Sequence, residues 1–418
     1  MNILLTSIGT RGDVEPFLAI GSLLKHQGHV VSYLFPEQFG NLVETEDAFF
    51  PLTPKFLELI ESEDGKAFIG NSSFFRKLRA LRVMYKEGMQ VNKLLVKQQY
   101  QTIESLNPDL IVYHPKCNYP LLWGLHKQKR TVLISPIPYV IHRVRGSAHV
   151  GFGNNRGLFN KWTYSLANKG VVKAIFDAQK VLQDLPKIPK AEIHKRWKTE
   201  RLGYAVSPSL FKRPEEWGKE VQVIGYHERN KQKAAPLDEK LVKFLANHAN
   251  TVLVTFGSMV NQQPGRISRI IYESLDELGY PCIINTAAGG LVSLEEFSSN
   301  PNFYFAETLP YDSVLPQIDA IIHHGGSGTV HSGLKYNCPT LLVPHIMDQY
   351  KWNELIHHLG VGPKGISINR LKKVSFKKKV QDLMTNPTYK KNTARLAEAM
   401  RQEKMEKELV DFILDPSS

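Results

Sequence analysis

Three short stretches of this chain hold residue types at spacings that could do chemistry. The first is Asp319-Ala320-Ile321-Ile322-His323-His324-Gly325-Gly326-Ser327-Gly328-Thr329. Its apolar run, bounded by an acid and by glycines, reads as a buried strand. It breaks into small residues and then resumes helical spacing at Val330, Leu334 and Tyr336. A strand that passes through small residues into a helix start aims main-chain N–H groups at one spot. Orphan donors and the helix dipole both favour an anion there. Only glycine and small hydroxyl residues let a bulky phosphate come this close. A phosphorylated ligand is the expected occupant, and a glycine-rich structural turn is the competing reading.

The second stretch is Gly9-Thr10-Arg11-Gly12-Asp13, after the first strand and just ahead of Val14-Glu15-Pro16 and a helix. A carboxylate at the end of a strand is a candidate general base. It is equally a candidate N-cap or first-turn acid. The third is Asp348-Gln349, beyond the turn at Pro344 and at the start of another helix. An acid beside an amide accepts from and donates to vicinal hydroxyls, as a sugar ring requires. A helix cap with its neighbour explains the pair as well.

Several chemistries are disfavoured. The dinucleotide fingerprint follows the first strand of its domain and reads GxGxxG. Here the glycines follow the fourth strand of the second half, and neither GGSGT nor GTRGD fits, which disfavours hydride transfer. There is no Walker loop. No DxD pair is placed to hold Mg²⁺, and the adjacent pairs His323-His324 and His357-His358 diverge, so no zinc chelation is expected.

The elements that must position these residues alternate. Strands are expected at 3–7, 30–35, 110–113, 131–135, 204–206 and 221–224, with helices at about 17–26 and 74–106. A second series follows at 251–256, 282–285, 303–306, 320–323 and 340–343. One amphipathic helix is expected to close the chain over 393–414. Such βαβ alternation implies α/β architecture with doubly wound parallel sheets. Two of these, joined by a polar linker at 226–236, would face each other across a cleft at the carboxyl ends of the strands. The expected domains are 1–225, 237–395 and a C-terminal helix, 396–418, packing back toward the first. The aromatic-rich segment after Ser135 lacks periodicity. Phe152 and Trp162 there are candidates for an apolar acceptor pocket, with ordinary core packing as the alternative.

With 418 residues, 42% hydrophobic and 22% charged, the chain exceeds one compact core, and two domains are expected. No run reaches the ~18 apolar residues of a membrane span. The opening Asn2-Ile3-Leu4-Leu5 reads as a strand and not an export signal. Three scattered cysteines suit a reducing compartment, so a cytoplasmic protein is expected. The net charge of +13 owes much to Lys372, Lys373, Lys377, Lys378, Lys379, Lys390 and Lys391. No nucleic-acid motif accompanies them; a solvated face is expected, with weak attraction to anionic lipid as the alternative.

Residues 308–362, with HHGGSGT and Asp348-Gln349, resemble the donor-binding signature of the UDP-glycosyltransferase superfamily. The opening GTRGDVEPFLAIGSLL is similar to that of its bacterial natural-product and sterol glucosyltransferases. The resemblance implies the GT-B fold and inverting transfer of a hexose, glucose for preference, from a UDP-sugar to a hydroxyl of a lipophilic phenolic, terpenoid, sterol or macrolide. It implies no metal and no cofactor. By position, it implies that His323 or His324, Gly325, Gly326, Ser327, Gly328 and Thr329 hold the diphosphate, with Ser258 and Thr10 facing the same phosphates. Leu309 would offer its backbone to the base, Asp348 and Gln349 would hold the sugar, and Asp13 would be the catalytic base. Plant members stack uracil on a tryptophan where this chain has Thr308, so uridine and thymidine donors both stay open. A nucleotide-sugar epimerase and a lipid-linked sugar transferase at the membrane face are the rival expectations.

Overall fold

Short apolar strands alternating with amphipathic helices resolve into two separate parallel sheets. The computed structural model describes residues 1–65, 74–152, 157–229, 236–261, 263–287 and 289–415. The chain divides into one unit of Met1–Gly65, Lys77–Asn230 and Lys404–Ser418, and a second centred on Lys231–Glu403. Residues 230–235 of the expected linker lie outside the described residues.

The first unit carries β1 (Asn2–Thr6), β2 (Val30–Pro36), β3 (Ala48–Leu52), β4 (Leu110–Tyr113), β5 (Arg130–Ser135), β6 (Leu202–Tyr204) and β7 (Val221–Val223), in the order β3-β2-β1-β4-β5-β6-β7. Its helices are α1 (Arg11–His26), α2 (Lys55–Glu61), α3 (Phe74–Leu106), α4 (Tyr119–Lys127), α5 (Asn160–Ala178) and α6 (Lys190–Thr199). The second unit carries β8 (Val252–Thr255), β9 (Cys282–Asn285), β10 (Phe303–Ala306), β11 (Ala320–His323) and β12 (Thr340–Leu342), ordered β10-β9-β8-β11-β12. Between and after them run α7 (Glu239–Asn247), α8 (Pro264–Leu278), α9 (Glu295–Ser298), α10 (Tyr311–Val314), α11 (Ser327–Lys335), α12 (Asp348–Leu359), α13 (Lys373–Thr385) and α14 (Pro387–Gln402); α15 (Glu406–Leu414) closes the chain.

The strands are nearly continuous apolar runs because helices cover both faces of a parallel sheet. In the first unit Ile3, Leu5, Val112, Val132 and Ile134 pack with Phe17 and Leu24 of α1; in the second, Val252, Val254 and Ile322 pack with Ile271 and Leu275 of α8. Each order has one switch point, where successive strands depart to opposite sides. It lies between β1 and β4 in the first sheet and between β8 and β11 in the second. Ligands of open α/β sheets bind at such points.

Three expectations change. The edge strand β3 is absent from the sequence reading, since Ala48-Phe49-Phe50-Pro51-Leu52 lacks alternation, and its proline is tolerated only at an edge. The closing helix is two helices, broken at Glu403–Met405. The buried side chains of α14, Thr393, Ala397 and Met400, belong to the second unit, whereas Leu409, Phe412 and Ile413 of α15 join the core of the first. One continuous stripe cannot serve both. Arg130 holds the end of α15 by donating to the carbonyls of Ile413 and Asp415, and Arg201 pairs with Asp415 at 3.1 Å. Finally, the segment after Ser135 is not irregular throughout: it enters the 19-residue α5 at Asn160.

Candidate active site

At the first switch point, Asp13 is the third residue of α1, which begins at Arg11 rather than near Phe17. Its Oδ2 accepts from the main-chain N–H of Thr10 at 2.7 Å and from the Thr10 hydroxyl at 3.1 Å, half of a capping box. The Ser7 hydroxyl donates to the Asp13 carbonyl at 2.7 Å. Asp13 is therefore a first-turn acid, and its surroundings go further than capping requires. His114 and Lys116, in the loop after β4, converge on it: His114 Nε2 lies 3.2 Å from Oδ1 and Lys116 Nζ 2.9 Å from Oδ2. His114 Nδ1 accepts from the Lys116 N–H at 3.2 Å, which assigns the ring proton to Nε2. Lys116 Nζ also lies 5.6 Å from the Phe56 ring centroid.

The electrostatics follow from these contacts. Burial alone would raise the Asp13 carboxyl, but the Lys116 ammonium and the His114 hydrogen bond outweigh it and hold the group well below the usual carboxylate range. Burial lowers His114 despite the opposing Asp13, so the imidazole stays neutral at neutral pH. The result is a nearly buried, permanently ionised carboxylate with one neutral and one cationic neighbour.

At the second switch point, β11 ends at His323 and the chain turns through His324, Gly325 and Gly326 into α11. Gly325 has φ +97°, a left-handed conformation that glycine adopts without strain, and its N–H donates to His323 Nδ1 at 3.1 Å. The first intrahelical bond of α11 is Val330 N–H to the Gly326 carbonyl, so the amides of Ser327, Gly328 and Thr329 precede the helical ladder. The neighbouring loop after β8 contributes Gly257 and exposed Ser258; Thr255 Oγ1 accepts from the Gly257 N–H and from the Tyr311 hydroxyl.

The His324 ring is wedged between these loops. A Cβ on Gly326 would lie 2.4 Å from its Nε2, and one on Gly257 would lie 3.0 Å from its Cε1. His324 Nδ1 is buried without a hydrogen-bond partner, as are His323 Nε2 and His345 Nε2. Burial, with His323 and His345 nearby, holds His324 far below its ordinary range; burial also takes His323 to about 3 and His345 to about 4. His345 Nδ1 donates to the Val343 carbonyl, so its Nε2 is an acceptor. His323 Nδ1 accepts from the Gly325 N–H, which leaves its Nε2 as an unpartnered neutral donor. Beside the helix-start amides, that donor fits an anionic ligand better than a cationic one.

The remaining candidates are placed as follows. Asp348 opens α12, directly after Met347, whose φ of 36° is unusual for a side-chain-bearing residue. Gln349 is buried, and its Oε1 accepts from the main-chain N–H groups of His345 at 2.7 Å and Ile346 at 3.1 Å. Its acceptor end is thereby engaged by the loop, which leaves Nε2 as the group that could donate to a ligand. Thr10, expected at the phosphates, gives its hydroxyl to Asp13. Leu309 is half-buried against the core beside β8 and β11. Phe152 and Trp162 share a groove of about 610 Å³ with Phe159, Thr163, Ser165, Leu166 and Lys169, and that lining contains none of Asp13, His114 and Lys116. Sequence reasoning missed His114 and Lys116, whose only signal is Tyr113-His114-Pro115-Lys116 at the end of a strand, and it missed the glycine wedge around His324.

Among the described residues no group of three His, Cys, Asp or Glu side chains could hold a metal ion, and no helix is long and apolar enough to cross a membrane. The lysine-rich stretch is in part a paired surface: Lys373 bridges Glu273 and Glu277, and Lys377 bridges Glu277.

Residues 3–108 match the glycosyltransferase family 28 N-terminal domain, and residues 275–415 match the C-terminal domain of the erythromycin biosynthesis protein CIII-like family. The chain is 27% identical over 96% of its length to a sterol 3-beta-glucosyltransferase of Arabidopsis thaliana and 26% identical, again over 96%, to a second. It spans 63% and 66% of those two proteins, less than two thirds of each. Among solved structures it superposes on the glycotransferase of kitacinnamycin with a TM-score of 0.71 at 18% identity, covering 99% of both chains, and on the calicheamicin glycosyltransferase with 0.67 at 17%, covering 98% and 96%. By its two parallel-sheet units and these superpositions the chain has the GT-B fold, and its N-terminal part matches a glycosyltransferase family 28 domain.

Proposed function

We propose that the protein is an inverting glycosyltransferase that moves a hexose, preferably glucose, from a UDP-sugar to a hydroxyl of a lipophilic sterol or natural product. The observation that carries this reading is the ionised carboxylate of Asp13, held by Lys116 and His114 at the switch point of the first sheet. The helix-start amides of residues 327–329 and the unpartnered His323 Nε2, at the switch point of the second, support it. The names of the relatives support glucose and a sterol-like acceptor. A related fold was solved with thymidine diphosphate, which keeps the base of the donor a matter for competition assays between UDP and TDP.

In a single displacement, the acceptor oxygen forms its bond to the anomeric carbon as the bond to the β-phosphate oxygen breaks. The configuration inverts and the nucleoside diphosphate departs. The hydroxyl becomes acidic only as that bond forms, so Asp13 takes its proton late and later returns it to solvent. Amides of residues 327–329 stabilise the charge gathering on the departing diphosphate. Asp348, and Gln349 through Nε2, would orient the sugar, while Ser258 would add a hydroxyl at the phosphates.

Asp13→Ala separates this reading from a purely structural role. Turnover of UDP-glucose with a sterol or phenolic acceptor should fall by ~10³-fold or more, while UDP affinity measured by calorimetry stays within a few-fold. Equal loss of both would make Asp13 a structural residue and sink the assignment.

A further inference from the structure

We propose that the exposed apolar stripe at the start of α5 docks this protein on the anionic surface of a phospholipid bilayer. Four large apolar side chains within nine residues face solvent: Leu158 is 96% exposed, Phe159 69%, Trp162 73% and Leu166 60%. The last three recur at helical spacing on one face, and Lys169 continues it. Exposed apolar side chains scattered singly need no explanation; a contiguous stripe that rims an open groove does.

The chemistry of the groove selects the partner. Thr163 Oγ1 is already committed, accepting from the His149 N–H and donating to the Asn160 carbonyl. With that hydroxyl spent, the groove has few directional groups with which to orient a soluble ligand or a peptide. A fluid apolar phase needs none. The charge agrees. No Asp or Glu occurs between Asp109 and Asp177, and Lys161 and Lys169 of α5 are exposed beside the stripe. Aromatic rings at headgroup depth with lysine ammonium groups at the phosphates are the composition of an interfacial membrane surface. The lysine-rich α13, partly neutralised by Glu273 and Glu277, is the weaker candidate for this contact. The inference does not rest on the glycosyl-transfer reading.

The full chain should float with vesicles of phosphatidylcholine containing about one-third phosphatidylserine, and not with pure phosphatidylcholine. The other four tryptophans are buried, so Trp162 is the fluorophore positioned to report contact, by a blue shift in emission. Trp162→Ala with Leu166→Ser should weaken vesicle binding at least about tenfold. Lys161→Glu with Lys169→Glu should weaken it too, and circular dichroism should show every variant folded, since the altered side chains are exposed. Equal binding to neutral vesicles, no emission shift, or undiminished binding of both variants overturns the proposal. So does a dimer that the Trp162 variant abolishes, which would put a second copy on the stripe. A soluble acceptor whose KM rises in that variant while its flotation is unchanged would overturn it as well, by making the groove a substrate pocket.

Discussion

Lys116 Nζ lies 2.9 Å from Asp13 Oδ2, across 103 residues of sequence, and together with His114 it outweighs the burial that would otherwise raise the carboxyl. The lysine thus keeps the acid ionised and, by the same contact, weakens it as a base. The two effects separate with pH. In the native protein Asp13 remains charged below the ordinary carboxylate range, so kcat/KM carries no ionisation of this group above about pH 4. Lys116→Met leaves the carboxyl in its low-dielectric setting without the ammonium, and its pKa rises. A new acid limb should then appear in kcat/KM, activity falling as pH drops through it, while Lys116→Arg retains the native profile. Superimposable acid limbs for the native protein and the methionine variant would refute this.

Around His324 the prediction concerns space. Gly326 has φ −65°, so alanine is conformationally acceptable there, but its Cβ would sit 2.4 Å from His324 Nε2. Gly326→Ala should lower UDP affinity by about tenfold or more with little loss of stability. The double variant with His324→Ala, in which the ring is gone, should lose no further affinity relative to His324→Ala alone. Gly325→Ala behaves differently. With φ +97° and Leu342 Cδ2 2.8 Å from the added carbon, it should cost on the order of 1–3 kcal/mol of folding stability, read by urea titration. Additive affinity losses in the double variant would count against the wedge.

Removal of divalent metal tests the charge balance. If the amides of Ser327, Gly328 and Thr329 with neutral His324 suffice for the departing diphosphate, EDTA leaves the initial rate unchanged. A strict Mg²⁺ requirement would replace that account.

Glu200 supplies a stability prediction far from the chemistry. It is 1% exposed, accepts from Thr131 Oγ1 at 2.6 Å and pairs with Arg196 at 2.7 Å. Burial nonetheless pushes it up to about 7, against the pull of Arg196, Thr131 and Tyr113. A carboxyl whose folded pKa exceeds its unfolded value of about 4.3 holds its proton longer in the native state. Its contribution is therefore complete below about pH 4 and declines as pH rises to about 7, by at most about 4 kcal/mol. Glu200→Gln should remove that decline, so that its stability relative to the native protein improves between pH 5 and pH 8 in denaturant titrations. Parallel pH dependences would show that Glu200 titrates normally.

Much of this was legible in the chain itself. The parallel α/β class and most strand positions follow from short apolar runs between helical patterns, because hydrophobic periodicity is a local property. The turn from β11 into α11 was legible for the same reason: His323 to Thr329 are contiguous, and their glycines declare a backbone that something must approach closely. What could not be read locally was adjacency. His114 and Lys116 reach Asp13 only because β4 lies beside β1, and Gly257 reaches His324 only because β8 lies beside β11. Strand order is set by packing of the whole sheet, and no propensity along the chain encodes it. Gln349 is the same lesson in miniature: its residue type suited a sugar, but the fold bent the main chain of His345 and Ile346 over its oxygen. The residue types came from the sequence; their partners were chosen by tertiary structure, because hydrogen bonds and ion pairs depend on distances that strand order alone establishes.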